Sequence, residues 1–277
     1  MAHDASRSPS GRPRRVAIIG AGPGGICTGV QLLEAGHRDF VILEKAPGVG
    51  GTWWHNRYPG AECDVKSHLY SFSFAPNPAW SRPYARQPEI RAYLEECVQT
   101  FGLGPYLRLG TEVRAARWDE DRAVWRLTVE PGDDIEVEVV VSALGMFGAP
   151  VPPDVPGLDT FRGKVFHSAR WDDAHDLAGE SVAVIGSAAS AVQFVPEIAP
   201  IVGHLDLYQR SANWVLPKED TPFTAEQLDA LRRDPDAVTA VRDTTFETIN
   251  ATITFSNPKL LEGAEAAGLR NLEAVDD

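Results

Sequence analysis

Two segments of this chain repeat one layout: a short apolar run, a small-residue turn, a helix-like stretch and a second apolar run. The first is Val16-Ala-Ile-Ile-Gly20, then Gly20-Ala-Gly22-Pro-Gly24-Gly25, then a helix-like stretch to Glu34 that Gly36 can stop, then Phe40-Val-Ile-Leu-Glu44. The second is Val182-Ala-Val-Ile-Gly186-Ser-Ala188-Ala-Ser190-Ala191, closed by Leu205-Asp-Leu-Tyr-Gln-Arg210. A short continuous apolar run bounded by glycine suits a strand buried on both faces. Strand, turn, helix and strand in that order predict a parallel β-α-β unit. Two copies predict an α/β chain with two Rossmann-type domains, each a three-layer ββα or βαβ stack.

Each position in the first turn has a physical task. Gly20 permits the tight turn, Gly22 lets the backbone approach a pyrophosphate, and Gly25 lets the helix pack close. The helix N-terminus supplies amide donors and the positive end of its dipole. A carboxylate at Glu44 can accept from ribose hydroxyls, so the first copy reads as binding the ADP half of FAD. In the second copy the same 24-residue spacing from the first glycine ends on Arg210 instead of Glu44. A guanidinium there can hold a 2′-phosphate with a bidentate fork, so this copy reads as NADPH-binding, with Gly186, Ser187, Ser190, Gln193, Arg210 and Ser211 as contacts. Ala188 and Ala191 stand where the second and third glycines would be, and the methyl of Ala188 points toward the pyrophosphate.

Bulk properties exclude several other classes. The formal net charge is −13, which argues against nucleic acid as partner. No apolar run approaches the ~20 residues of a membrane span. The first 13 residues are polar, lack the apolar middle of a signal peptide, and read as a disordered tail. Cys27, Cys63 and Cys97 are far apart, with no C-x-x-C, so neither a metal site nor a redox dithiol is indicated, and a reducing cytoplasm fits.

Between the two copies, the run from Gly50 to Asp64 is aromatic and without period, as in an ordered loop. Pro88 opens a helix whose face carries Ile90, Tyr93, Leu94, Cys97, Val98 and Phe101. Cys97 is then a small buried hydrophobe. Trp125, Leu127 and Val129 alternate, as do Ile135, Val137 and Val139 after a Pro131-Gly-Asp-Asp134 turn, which predicts a hairpin. Val139 to Gly145 reads as a buried strand, and Pro150, Pro152, Pro153 and Pro156 as a stiff linker. Thr224-Ala-Glu-Gln227 is a capping box opening an acidic helix, with breaks expected at Pro235 and Pro258.

Between the glycine loops lies Phe161-Arg-Gly163-Lys-Val-Phe-His167-Ser-Ala-Arg-Trp171, with the spacing F-x-G-x-x-x-H-x-x-x-W. With the run Gly50-Gly51-Thr52-Trp53-Trp54-His55-Asn56-Arg57-Tyr58-Pro59-Gly60-Ala61-Glu62-Cys63-Asp64, this resembles the type I Baeyer–Villiger monooxygenases within the flavin-containing monooxygenases. The Trp171-Asp172 pair favours the Baeyer–Villiger branch, and Trp214-Val-Leu-Pro217 extends the likeness. The resemblance implies an FAD domain over residues 14–148, a linker over 149–170 and an NADPH domain over 171–277, with a helical insertion from about residue 218. It implies that Lys45, Gly51, Thr52, Trp53, Tyr70 and Val113 join Gly20, Gly22, Gly25 and Glu44 around FAD. It puts Asp64 near the flavin ring as a catalytic group, and gives His167 a domain-positioning role rather than acid–base work.

The activity implied is oxygenation of a ketone to an ester or lactone by dioxygen, through a flavin C4a-peroxide formed after hydride transfer from NADPH. In the resembled family an arginine that stabilises this species lies beyond where this sequence stops. The expectation is therefore an incomplete product that binds FAD weakly or is insoluble, with its own activity in doubt. N- or S-oxygenation by the same scaffold and a non-catalytic nucleotide-binding remnant stay open. A flavin disulfide reductase needs the cysteine pair that this chain lacks. Substrate identity and oligomeric state are not readable.

Overall fold

A computed structural model of the chain describes residues 14–211, 213, 215, 218–253 and 258–273. The N-terminal tail and Trp214, Leu216 and Pro217 lie outside the described residues. The chain divides into two compact units, Met1–Arg57 with Ile90–Trp171 and Tyr58–Glu89 with Asp172–Asp277.

In the first unit, β1 (Val16–Ile19), β2 (Phe40–Glu44), β3 (Leu107–Leu109) and β7 (Val139–Ser142) form a parallel sheet in the order β3-β2-β1-β7. A second, antiparallel sheet is made of β4 (Glu112–Asp119), β5 (Val124–Glu130) and β6 (Ile135–Val137), in that order. The two-residue period of strands splits the side chains of the parallel sheet between two faces. Ala17, Val41 and Leu43 pack with Leu127, Val129, Ile135 and Val137 of the antiparallel sheet. Ile42 faces the other way, toward helix α1 (Pro23–Glu34), which turns Gly25, Ile26, Gly29 and Val30 inward. Helix, sheet and sheet make three layers. Helix α3 (Gln87–Thr100) buries Ile90, Tyr93, Leu94 and Cys97, the face that its periodicity marks.

One expectation changes here. The strand after Val139 is only half-buried, and Leu144, Met146 and Phe147 beyond it are exposed. The physical reason is its place at the sheet edge: β7 pairs with β1 on one side, and no strand among the described residues pairs with its other.

In the second unit, β8 (Ser181–Ile185) and β9 (His204–Tyr208) form a two-stranded parallel sheet joined by α4 (Ala189–Ile198). Only Val184 of the two strands is buried. The rest of the unit is the loop Tyr58–Glu89 and helices α5 (Ala225–Arg233), α6 (Pro235–Ile253) and α7 (Pro258–Glu273). The capping box at Thr224 and Gln227 is formed in both directions. Pro235 and Pro258 were expected to break helix. The helices do break there: α5 ends at Arg233 and α6 at Ile253, and each proline is the first residue of the next helix, where its missing N–H costs nothing and its fixed φ suits the turn. Arg242 of α6 donates to the carbonyls of His68, Leu69 and Ser71, at 3.3, 3.1 and 2.7 Å, and so holds that part of the loop. No helix among the described residues is long and apolar enough to cross a membrane.

Candidate functional site

The first glycine turn is tight enough to exclude a side chain at Gly20 and at Gly25. Gly20 has φ +107°, and a methyl there would lie 2.5 Å from the Ala143 carbonyl oxygen. A methyl on Gly25 would lie 1.9 Å from the Gly20 oxygen. Gly51 (φ +56°) faces Gly22 so closely that a methyl on it would lie 2.9 Å from the Gly22 Cα. The Gly50 amide donates to the Ala21 carbonyl at 2.9 Å, fastening the two loops together. Helix α1 starts at Gly22 with Pro23 in its first turn and no side-chain cap. Its first amides are therefore not satisfied by a cap, the arrangement that receives a phosphate.

Glu44 is buried at the end of β2. Its Oε2 accepts from the Ala21 amide and its Oε1 from the Ala46 amide, both at 2.8 Å. The carboxylate thus braces the turn, and each oxygen keeps a lone pair for a ribose hydroxyl. Lys45 is exposed and reaches the Gly148 carbonyl at 3.4 Å. Thr52 opens the short helix α2 (Thr52–His55), and Trp53 is buried within it. Val113 packs its side chain on the core between the sheets, beside an irregularity in the β4–β5 register.

The segment Phe161–Trp171 also belongs to the first unit. His167 is exposed, and its Nδ1 accepts from the Ala169 amide at 3.0 Å, closing a single 3₁₀ turn over Ser168–Arg170. Phe166 and Trp171 meet edge to face at 5.2 Å. Arg170, Trp171 and Ala169 line a cleft of about 210 Å³ together with Trp54, His55 and Arg57. Burial and the positive charges of Arg170, Lys45 and Arg57 hold the His55 pKa below its usual value, against an opposing effect of Glu44.

In the second unit, Gly186 has φ +104°, and nothing lies within 4 Å of where its methyl would be. Ala191 carries a methyl where the first copy has Gly25, so α4 cannot approach its strand as α1 does. Helix α4 also starts without a side-chain cap. Asn213 donates to the Ser187 carbonyl and hydroxyl at 2.6 and 3.1 Å. Gln193 is held at both ends: its Oε1 accepts from the Tyr58 hydroxyl and its Nε2 donates to the Glu62 carbonyl, each at 2.9 Å. Arg210 and Ser211 are exposed and lie beyond β9, whose last residue is Tyr208. Arg210 was expected to end the strand as Glu44 does. It lies two residues further on.

The loop of this unit presents Asp64 and Tyr70 to solvent and buries Cys63 between them and its core. Burial pushes the Cys63 thiol up to about 12, and burial likewise raises Tyr58 and lowers His68. The Tyr58–Gln193 tie, the Arg242 clamp and the His55–Arg170 cleft were not found from the sequence. His55 lies in a run read as a loop, and Arg170 is more than a hundred residues along the chain.

Residues 17–259 match the family described as pyridine nucleotide-disulphide oxidoreductase. The chain is 52% identical over 228 residues to a Baeyer–Villiger monooxygenase of Streptomyces coelicolor, covering 82% of this chain and 44% of that protein. It is 50% identical over 221 residues to one of Pseudomonas aeruginosa, covering 80% and 42%. A crystal structure of cyclohexanone monooxygenase from Rhodococcus sp. Phi1 bound to NADP+ superposes with a TM-score of 0.75 at 40% identity, covering 81% of this chain and 43% of that one. The chain therefore spans less than half the length of these relatives. The three cysteines are all free, so the likeness rests on the nucleotide-binding fold and not on a dithiol. With two β-α-β units, an uncapped helix behind each glycine turn and a match along most of its length, the chain belongs to the pyridine nucleotide-disulphide oxidoreductase family.

Proposed function

We propose that this chain carries the FAD- and NADPH-binding parts of a cytoplasmic flavin monooxygenase that oxygenates a ketone to an ester or lactone. The observation that carries this reading is the first glycine turn. A methyl on Gly20, Gly25 or the facing Gly51 would lie 1.9 to 2.9 Å from neighbouring backbone, so these positions hold the turn tight at the α1 N-terminus, where a pyrophosphate can approach backbone amides. The residues fit FAD: Gly20, Gly22 and Gly25 clear the approach, Glu44 offers its remaining lone pairs, and Gly51, Thr52 and Trp53 lie beside the turn. Lys45, Val113, Asp64 and Tyr70 complete the assignment. They fit NADPH on the other copy through Gly186, Ser187, Ser190, Gln193, Arg210 and Ser211.

Bound flavin, reduced by NADPH, supplies the activation of dioxygen that no side chain can. The chain's own residues bind and orient. The α1 and α4 amides receive the diphosphates. Arg210 selects the 2′-phosphate. Asp64 holds charge at the mouth of its loop, and His167 fixes the turn that ends in Trp171 and so positions the segment between the two copies. The relatives' names support ketone oxygenation, as do the F-x-G-x-x-x-H-x-x-x-W spacing and Trp171.

The test is product analysis after incubation with FAD, NADPH, dioxygen and a cyclic ketone competing with an aryl sulfide. The expected main product is the lactone. A sulfoxide instead selects heteroatom oxygenation, and bound flavin with no oxygen consumption selects nucleotide binding without turnover.

A further inference from the structure

The cleft lined by Trp54, His55, Arg57, Ala169, Arg170 and Trp171 includes no residue of the glycine turn assigned to the FAD diphosphate. Arg170 forms no ion pair among the described residues, and its Nη1 donates only to the adjoining Ala169 carbonyl at 2.7 Å. The His55 ring has no hydrogen-bond partner among the described residues. Lys45, Arg57 and Arg170 all act on His55, and Glu44 is the one carboxylate that opposes them. Glu44 is itself engaged by two backbone amides. Arg91, 4.2 Å from the centre of the Trp54 ring, is already ion-paired with Glu95 at 2.8 Å.

A chain with 39 carboxylates and a net charge of −13 has acidic groups to spare, yet among the described residues none is paired with Arg170. Trp54 and Trp171 flank these groups, while Arg170 itself stays exposed. A guanidinium presents a planar fork that matches an oxyanion, and a half-buried imidazole can donate from both nitrogens once protonated.

We propose that this cleft is an oxyanion site, in which Arg170 and His55 hold a phosphate or carboxylate group between Trp54 and Trp171. The anion brings the counter-charge that the fold omits, and its presence favours the protonated imidazole. The group comes either from a nucleotide cofactor or from a separate anionic molecule.

The test uses the full chain with isotope-labelled histidine rings, the His55 signal being assigned with His55→Phe. The ring is titrated against pH in chloride and in inorganic phosphate at matched ionic strength. Phosphate is expected to raise the His55 midpoint saturably. Arg170→Gln is expected to weaken phosphate binding about tenfold or more, and Arg170→Lys to restore part of it. Loss of the phosphate response on saturation with FAD or NADPH names the cofactor as source. A response that persists, and that acetate reproduces, names a separate anion. Superposable midpoints in chloride and phosphate, or an unchanged response in a folded Arg170→Gln chain, overturn the proposal.

Discussion

The amide of Gly186 donates to the carbonyl of Tyr208 at 2.9 Å, the bond that Gly20 makes to Leu43 at 2.8 Å in the first copy. Tyr208 is therefore the counterpart of Leu43, and Gln209 of Glu44. The strand registers agree: β1 sets Val16 against Phe40, while β8 sets Ser181 against His204, one residue closer in sequence. The acid that marks the first copy is replaced by a neutral amide, and Arg210 follows it by one residue.

That register separates two ways of losing NADPH selectivity. Arg210→Ala is expected to weaken NADPH binding about tenfold or more while changing NADH binding little. Gln209→Glu restores a carboxylate where a 2′-phosphate would approach, and is expected to move preference toward NADH. Dissociation constants for both nucleotides, measured on each variant, check this.

Close approach at Gly25 should dominate the stability of the first unit. Gly25→Ala places a methyl 1.9 Å from a backbone oxygen and forces helix and strand apart. A cost of roughly 1–3 kcal/mol is expected, with reduced FAD affinity. Gly36→Ala, with φ +77° but open space around it, should cost only about 1 kcal/mol and leave FAD binding alone. Urea unfolding of the two variants makes the comparison.

Tyr58 and Gln193 join residues 135 apart in sequence through one part-buried hydrogen bond. Tyr58→Phe and Gln193→Ala should each destabilise, and a double-mutant cycle should return a coupling of about 1 kcal/mol. Additive losses would mean the bond contributes nothing of its own.

His68 is buried, its Nε2 has no hydrogen-bond partner among the described residues, and its pKa lies below the usual value of 6.5 because burial disfavours its charge. The unfolded chain then binds more protons than the folded one as pH falls below 6.5, so stability is present above that value and lost below it. His68→Phe should flatten this acid-side decline. Cys63 acts at the other end: its folded pKa of about 12 exceeds 9.0, so its contribution is present below pH 9.0 and fades as pH rises toward 12. Urea midpoints of wild type and His68→Phe, followed from neutral to mildly acid pH, test the first statement. Midpoints of Cys63→Ala at alkaline pH test the second.

Much of the fold is legible because its signals are local. The apolar runs at Val16, Phe40 and Val182, the face from Ile90 to Cys97 and the capping box at Thr224 each depend on neighbours a few residues away. Spacing alone misplaced Arg210, because counting from a glycine to a charge does not see the pairing register. The breaks at Pro235 and Pro258 were legible, but not that each proline opens the following helix, because a proline that ends one stretch and one that opens the next look alike in sequence. The grouping of Tyr58–Glu89 with residues after Asp172 rests on Gln193, Arg242 and other partners more than a hundred residues away. For the same reason the glycine turns were visible as sites, while the meeting of His55 with Arg170 was not.

If the first turn takes FAD and the second NADPH, electrons pass from one to the other, and the flavin absorbance of the FAD-supplied chain, followed without oxygen after adding NADPH or NADH, reports it. The expected result is saturable binding of one FAD per chain and bleaching by NADPH in preference to NADH, with that preference lost in Arg210→Ala. Flavin that does not bind saturably, or that binds and stays oxidised with NADPH, would contradict it.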